Sequence, residues 1–301
     1  MATTVESARP ASGTGSSVKV LTYNCGLLRL RVVGITVFSN PPYVDERFVH
    51  LAKALRESGA DIIALQEIYE RHHVSTLIAQ LKDVYPHHAQ QFSGWPHQFT
   101  NGLMFLSKYP VDGSVLKIHA KAATMEKLMG SKSCLSATFD SPIGKLTMIN
   151  MHTTAGGGVD PENPSVDGVR QDELAEACAL ADEATAAGCE ALIVGDMNMG
   201  PESSPGNYNW ILGEMKYRNI VTDLPDSDKM TWDPANPLNV GGVHDYCPPQ
   251  WIDHFFAHEK CKVTGTDATI MFKEPVVKMK RKDLITTVSD HYGLIITLRV
   301  T

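Results

Sequence analysis

Two stretches of the sequence share one arrangement: a segment with helical periodicity, a glycine, a short apolar run and an acidic residue. The first runs from Asp45 to Glu67 with Gly59 after its helical part. The second runs from Gln171 to Asp196 with Gly188 in the same place, and the spacing from glycine to acid is identical. Because a glycine commonly ends a helix before a strand in α/β proteins, we predict two similar halves that each bring an acid to a shared edge.

The second stretch ends in two polar residues separated by one position. The residues from Ala191 to Val194 form an apolar run that predicts a buried strand, and Asp196 and Asn198 follow where this strand leaves the core. Since residues two apart in a strand lie on the same face, both side chains can face one ligand. A carboxylate is costly to bury without a partner, so we interpret the pair as functional. The alternative is an Asx turn that ends the strand.

Composition and charge limit the class of protein. The chain has 301 residues, of which 43% are hydrophobic and 20% charged, as in globular proteins with a sizeable core. The net charge of −7 disfavours a nucleic-acid partner held through its phosphates. None of the six cysteines forms a CxxC pair, so we expect reduced thiols. With no secretory signal and no apolar stretch of transmembrane length, we expect a cytoplasmic or peripheral membrane protein and leave secretion open.

The pattern along the chain predicts a tail and one domain. Residues Met1 to Ser17 are small and polar and are expected to form a disordered tail, and residues 18–301 contain no linker and are interpreted as a single domain. The segment from Leu27 to Phe38 predicts a strand or hairpin, or a surface loop that touches lipid. The turn-rich segment from Pro201 to Gln250 is expected to be a long loop that shapes a site. Further strands are predicted at 18–23, 61–65, 103–106, 135–139, 146–151, 251–257 and 294–300, and a further helix at 74–81.

Polar side chains stand at or near the ends of these apolar runs. They are Asn24, Glu67, His152, Asp196, Asn198, Asp253, Asp290 and His291. The motifs that carry them occur in the order TYN, LQE, MH, GDMN, IDHFF and SDH. One such motif is weak, since an isolated Asn more often caps a strand, but six in order are specific. With these motifs, the sequence resembles the endonuclease/exonuclease/phosphatase superfamily of metal-dependent phosphodiesterases over nearly its full length.

This resemblance implies both a fold and a metal. The expected fold is a four-layer α/β sandwich in which two mixed, largely antiparallel sheets pack face to face between helices. Glu67 is the expected ligand of a Mg²⁺ ion, with Mn²⁺ or Co²⁺ as alternatives, and Asn24 contributes an amide oxygen beside it. A hard cation on oxygen ligands suits this chemistry, because it neutralises the charge of an anionic phosphodiester.

The resemblance also implies roles for the other residues. His291 would be the general base, because imidazole accepts a proton near neutral pH. The acid that orients it would be Asp253 or Asp290, and the sequence does not separate the two. The remaining residues would act on water and phosphate: Asp196 aligning the attacking water, Asn198 holding a phosphate oxygen, and His152 donating to the phosphate or the leaving oxygen.

Within the superfamily, the sequence is most similar to the neutral sphingomyelinases. The similar segments are TYNCGLL, NGLMFLSKYPV, GSKSCLSATF and TWDPANPLN. They imply a sphingomyelinase-type phospholipase C that releases phosphocholine from a phospholipid at a membrane surface, with no obligate protein partner. Trp232, Tyr246 and Trp251 are candidates to contact the quaternary ammonium.

Some sequence features leave the substrate open. Sphingomyelinases carry THLHA-like residues at the site histidine. The segment MHTTAGGGV keeps the first histidine of that motif but lacks the second. A nuclease or an inositol-phosphate phosphatase of the same superfamily is therefore an alternative, as is a non-catalytic module that binds a lipid surface. The other histidines that we considered, among them His72 and His73, match no motif and are expected at the surface.

Overall fold

Two six-stranded sheets form the centre of the fold. The computed structural model describes residues 16–32, 35–91, 99–119, 132–155, 164–242, 244–280 and 283–301. With strands numbered in chain order, the first sheet consists of β13 (Val263–Met271), β16 (Gly293–Val300), β1 (Val18–Asn24), β4 (Ile62–Glu70), β6 (Phe99–Ser107) and β5 (His87–Ala89) in spatial order. The second consists of β11 (Tyr217–Asn219), β12 (Asp253–His258), β10 (Glu190–Asp196), β9 (Gly144–His152), β8 (Ser133–Ser141) and β7 (Val111–Ile118).

Each sheet contains one parallel pair of strands among antiparallel neighbours. β1 runs parallel to β4, with Asn24 opposite Gln66, and β9 runs parallel to β10, with His152 opposite Asp196. The carboxyl ends of both strands in a parallel pair lie at the same edge. β16 and β12 are antiparallel to β1 and β10, so these two strands begin where the others end. The topology thus gathers the predicted polar residues at one end of each sheet.

Helices cover the outer face of each sheet. α1 (Val44–Glu57) and α2 (Arg71–Leu81) pack on the first sheet, and α3 (Pro164–Ala186) and α4 (Pro205–Gly213) pack on the second. The inner faces meet in a third apolar cluster, where the rings of Phe105 and Phe139 stand edge to face at 5.3 Å. Burying one such side chain stabilises the fold by about 1.5–3 kcal/mol. The predicted four-layer α/β sandwich is confirmed.

Small elements account for several differences from the sequence expectations. The segment from Leu27 to Phe38 contains a hairpin of β2 (Arg29–Val32) and β3 (Ile35–Ser39), which is one of the predicted alternatives. A second hairpin joins β14 (Val277–Lys278) and β15 (Ile285–Thr286), and a 3₁₀ turn spans Asp226–Asp228. The expectation of one long loop at 201–250 was wrong in part, because α4 and β11 lie within it. Pro205 begins α4, a position where the fixed φ of proline suits a helix.

Two local features shape the backbone near the ends of β4 and β10. The strand expected at 61–65 continues as β4 to Glu70, and its pairing with β6 shifts register between Leu65 and Ile68. Glu67 lies in this bulge with φ of 60°, and a bulge of this kind redirects a side chain. In β10, a Cβ on Gly195 would lie 2.0 Å from the carbonyl oxygen of Met151, so only glycine permits the close approach of β9.

Other expectations concern single residues and the chain termini. The six cysteines are free thiols, as expected. His73 is fully buried, so its expected place at the surface was wrong. Most of the expected N-terminal tail (1–15) and the GGG run at 156–158 lie outside the described residues. Across the described parts of the chain, we find no helix with the length and apolar character that crossing a bilayer requires.

Candidate active site

The ends of the two sheets enclose a pocket of about 270 Å³. It is lined by most of the residues selected from the sequence: Glu67, His152, Asp196, Asn198, Asp290 and His291. The other two, Asn24 and Asp253, are buried and hydrogen-bonded to residues that line it. The structure therefore brings all eight residues together, although they come from strand ends far apart in the chain.

Asn24 connects the two sheets. Its Nδ2 donates to Oε1 of Glu67 at 3.2 Å and to Oδ2 of Asp196 at 2.8 Å. Its Oδ1 accepts from the backbone N–H of Gly26 at 2.9 Å, which fixes the orientation of the amide. In this arrangement the amide nitrogen faces the two acids. The assignment of its oxygen to a metal stays a prediction.

The geometry distinguishes the two acids that were candidates to orient His291. Nδ1 of His291 lies 3.0 Å from Oδ2 of Asp253, and Nε2 lies 3.7 Å from Oδ2 of Asp196. Asp290 instead accepts at Oδ1 from the hydroxyl of Ser289 at 3.1 Å. Burial alone lowers the pKa of His291, but the carboxylates of Asp253 and Asp196 outweigh burial and raise it to about 10. The imidazole is therefore held and charged by Asp253 and Asp196.

Burial also shifts the pKa values on the other side of the pocket. Desolvation, with the nearby charge of Asp290, raises the pKa of Glu67 to about 7. Desolvation, with the nearby charge of Lys132, lowers the pKa of His152 to about 3. Nε2 of His152 lies 3.5 Å from Oδ2 of Asp196 and 4.0 Å from Oε1 of Glu67. A neutral imidazole thus stands beside a carboxyl group that changes protonation near neutral pH.

Asp196 and Asn198 meet in a turn rather than along one strand face. β10 ends at Asp196, and Asn198 has φ of 46°. The backbone N–H of Asn198 donates to Oδ1 of Asp196 at 3.0 Å, which is an Asx turn. The amide Nδ2 of Asn198 donates to the carbonyl oxygen of Thr153 at 3.1 Å. Because both side chains also line the pocket, the turn is compatible with the functional interpretation, which stays a prediction.

Two buried carboxylate oxygens support a bound cation. Oε2 of Glu67 and Oδ1 of Asp253 have no hydrogen-bond partner among the described residues. Buried polar atoms are nearly always paired, and carboxylate oxygens are the ligands that Mg²⁺ prefers. Ligand atoms of Asp196, Asp253 and His291 also lie within 4.8 Å of one another. The donor set therefore fits a divalent cation, either at the predicted Glu67 or among the group that contains Asp196.

The sequence interpretation missed Lys132 and selected too many aromatic residues. Lys132 lines the pocket and donates from Nζ to the carbonyl oxygen of Thr153 at 2.9 Å. It lies within the GSKSCLSATF segment, so a motif residue was present but carried no assigned role. Of the three aromatic candidates, Trp232 lines the pocket. Tyr246 is 60% exposed, and Trp251 lines a separate groove.

Arg47 was also missed, and it joins the segments around the site. Its guanidinium is completely buried and donates five hydrogen bonds, all to backbone carbonyls in the described part of the chain. The acceptors are the carbonyl oxygens of Cys25 (3.2 Å), Gly26, Pro41 (3.3 Å), Pro42 (2.8 Å) and Val288 (2.9 Å). One side chain on α1 thus fixes the chain after β1, the end of the β2–β3 hairpin and the segment before His291.

A polar contact between the sheets lies directly behind the pocket. Nε2 of Gln66 donates to Oδ1 of Asn150 at 2.7 Å, and Nδ2 of Asn150 donates to the carbonyl oxygens of Leu65 and Met104. Gln66 precedes Glu67, and Asn150 lies two residues before His152. Because a buried donor that loses its acceptor is costly, these hydrogen bonds favour one register between the two sheets.

Comparisons with known proteins agree with this fold. The model of the Endonuclease/Exonuclease/phosphatase family matches residues 21–291. Sphingomyelinase C from Streptomyces griseocarneus has a similar structure (TM-score 0.72, 18% identity, 93% of this chain and 99% of that chain covered). A variant of beta toxin from Staphylococcus aureus with bound magnesium ions is also similar (0.72, 15%, 95% and 100%). So is TDP2 from C. elegans (0.66, 18%, 94% and 75%).

At these identities, the similar structures show the fold alone, and no curated protein sequence matches this chain. The family model carries the assignment, because it spans nearly the whole chain and includes every selected residue from Asn24 to His291. Members of this family are typically hydrolases that act on phosphodiesters. The chain belongs to the endonuclease/exonuclease/phosphatase family.

Proposed function

We propose that the protein is a Mg²⁺-dependent sphingomyelinase-type phospholipase C. It hydrolyses sphingomyelin or a related phospholipid by attack of water at phosphorus and releases phosphocholine. The observation that carries the proposal is the convergence of Glu67, His152, Asp196 and His291 on one pocket, with two buried carboxylate oxygens left for a cation. A divalent cation bound there would offset the negative charge of the phosphodiester. Its positive charge would also lower the pKa of His291.

Protein side chains then hold the reacting groups. Asp253 accepts a hydrogen bond from Nδ1 of His291, which leaves Nε2 facing Asp196 and the pocket. In the proposed mechanism, Nε2 accepts the proton of the attacking water, and Asp196 aligns that water. His152 and Asn198 donate hydrogen bonds to the phosphate oxygens as negative charge develops. As the bond from the water oxygen to phosphorus forms, the bond from phosphorus to the ceramide oxygen breaks, and the leaving oxygen receives the proton that His291 took from the water.

The composition of the pocket lining supports a substrate with a single phosphate. Lys132 is the only lysine or arginine among the described lining residues, and Leu28, Tyr69, Trp232 and Ile252 provide apolar surface. A nucleic acid that binds through several phosphates needs several cations. One lysine beside apolar walls suits a phospholipid headgroup better.

A substrate panel with Mg²⁺ tests this proposal. We expect phosphocholine release from sphingomyelin vesicles that exceeds turnover of lysophospholipids, plasmid DNA and inositol phosphates, and that stops when a chelator is added. Glu67→Gln should abolish release, whereas Glu57→Gln, at an exposed position on α1, should not. Faster cleavage of DNA or inositol phosphates would contradict the lipid assignment. Absence of turnover on every phosphodiester would favour a non-catalytic lipid-binding module.

A further inference from the structure

The β2–β3 hairpin exposes an apolar strand. It forms a two-stranded sheet separate from the two large sheets. On β3, Ile35 is 70% exposed, Val37 is 60% exposed and Phe38 is 45% exposed. Single exposed apolar residues are ordinary on a protein surface, but three large ones within four positions form a patch that usually marks a contact.

This strand stands at the mouth of the pocket. Leu28 and Asn40 flank the hairpin, and the backbone N–H of Asn40 donates to the carbonyl oxygen of Leu28 at 3.1 Å. Both residues also line the catalytic pocket. A surface that contacts β3 therefore lies beside the opening through which a substrate enters.

The hairpin is held firmly to α1 and to the end of β4. Arg29 is nearly fully buried and pairs with Glu70 at 2.6 Å and with Asp45 at 2.7 Å. Arg47 binds the carbonyl oxygens of Pro41 and Pro42 just after β3. Because its base is fixed at both ends, the hairpin presents its apolar strand outward in a defined direction from the pocket.

We propose that β3 docks the protein on the surface of a zwitterionic phospholipid bilayer, so that the pocket opens at the headgroup layer. This inference rests on the proposed function, since a phospholipid substrate lies in such a surface. The apolar side chains fit the boundary between headgroups and acyl chains. Arg31 on the same hairpin is 36% exposed, but its guanidinium lies 3.5 Å from Oδ2 of Asp45 and 3.8 Å from Oε2 of Glu70, so the docking surface is apolar rather than cationic. The net charge of −7 disfavours a strongly anionic surface.

Vesicle binding without turnover tests the docking surface. The Glu67→Gln chain is mixed with vesicles of equimolar sphingomyelin and phosphatidylcholine, and the bound fraction is measured by sedimentation. Adding Val37→Ser and Phe38→Ser should lower the partition coefficient at least about tenfold, since two apolar side chains no longer leave water. The matched control is Val115→Ser with Ile118→Ser on β7, where the two residues are 57% and 49% exposed. It should bind within about twofold of the parent.

The outcomes separate this inference from the proposed function. Equal binding by the β3 variant and its parent would overturn the docking surface, as would equal loss in the β7 control. Failure of the parent to bind vesicles would also overturn it and leave β3 for a protein partner. If vesicles bind through β3 but the wild-type chain releases no phosphocholine, the docking surface stands and the proposed function fails. If the wild-type chain releases phosphocholine but the β3 variant binds vesicles as well as its parent, the proposed function stands and the docking surface fails.

Discussion

Replacing Arg47 with methionine should damage both stability and turnover. The guanidinium is completely buried and donates to five backbone carbonyls from three segments. A buried acceptor that loses its donor costs about 1 kcal/mol or more. With some relaxation of the segments, we expect the free energy of unfolding to fall by about 3–5 kcal/mol.

The effect on activity follows from the position of these carbonyls. Val288 lies three residues before His291, and Cys25 follows Asn24 directly. A displacement of about 1 Å at a reacting group costs about 10²-fold in rate, so kcat should fall by that order while KM changes less. Arg47→Lys keeps the charge, but an ammonium with three donors cannot reach five acceptors. The free energy of unfolding and the kcat of Arg47→Lys should therefore lie between those of the wild type and those of Arg47→Met.

Arg56 provides the matched control on the same helix. It pairs with Asp83 at the surface, where an ion pair contributes little. Denaturant unfolding would give the free energies, and steady-state kinetics on the preferred phosphodiester, well below each melting temperature, would give kcat and KM. The reasoning is refuted if Arg47→Met matches Arg56→Met in both unfolding free energy and kcat.

Two further predictions address the site and the pH dependence of stability. His291→Ala and Glu67→Ala should each lower turnover by orders of magnitude while the circular dichroism spectrum stays native, and near wild-type rates in either would contradict the mechanism. Burial, with the charge of His72, lowers the pKa of His73 to about 4, below its value of about 6.5 in an unfolded chain. The unfolded chain therefore binds the proton first, and stability is lost as pH falls from 6.5 towards 4. Between pH 8 and pH 5, the wild type should lose about 2 kcal/mol more than His73→Phe in urea unfolding. An equal loss of unfolding free energy in the two chains would exclude His73 as the origin of the pH dependence.

Strand positions were predictable where a strand is buried on both faces. The run that became β10 is continuous and apolar, the runs that became β1 and β9 are mostly apolar, and the polar residue that ends each of them is visible in the sequence. β7 and β13 were not predicted. Both lie at sheet edges and are partly exposed, and they contain Gly, Asp, Ser or Thr where an apolar pattern would otherwise appear. Edge strands tolerate such residues because one side of their backbone is unpaired with the sheet.

The residues that meet at the pocket were predictable where a motif marked them, but their contacts were not. The choice between Asp253 and Asp290 depends on which acid reaches Nδ1 of His291, and that distance is set by the pairing of β12 with β10. Arg47 has no motif, since its acceptors are carbonyls that every residue carries. His73 looked like a surface residue because its burial depends on stacking with Phe48 of the neighbouring helix.

The division of the active residues between the two sheets has a consequence for folding. Glu67 and His291 belong to one sheet with its adjoining segments, and His152, Asp196 and Asp253 belong to the other. Neither half holds a complete catalytic set, and the contacts of Asn24 and Gln66 join them. The proposed activity would therefore report on the apposition of the sheets: a state with both sheets formed but not apposed would show native-like secondary structure and no catalysis.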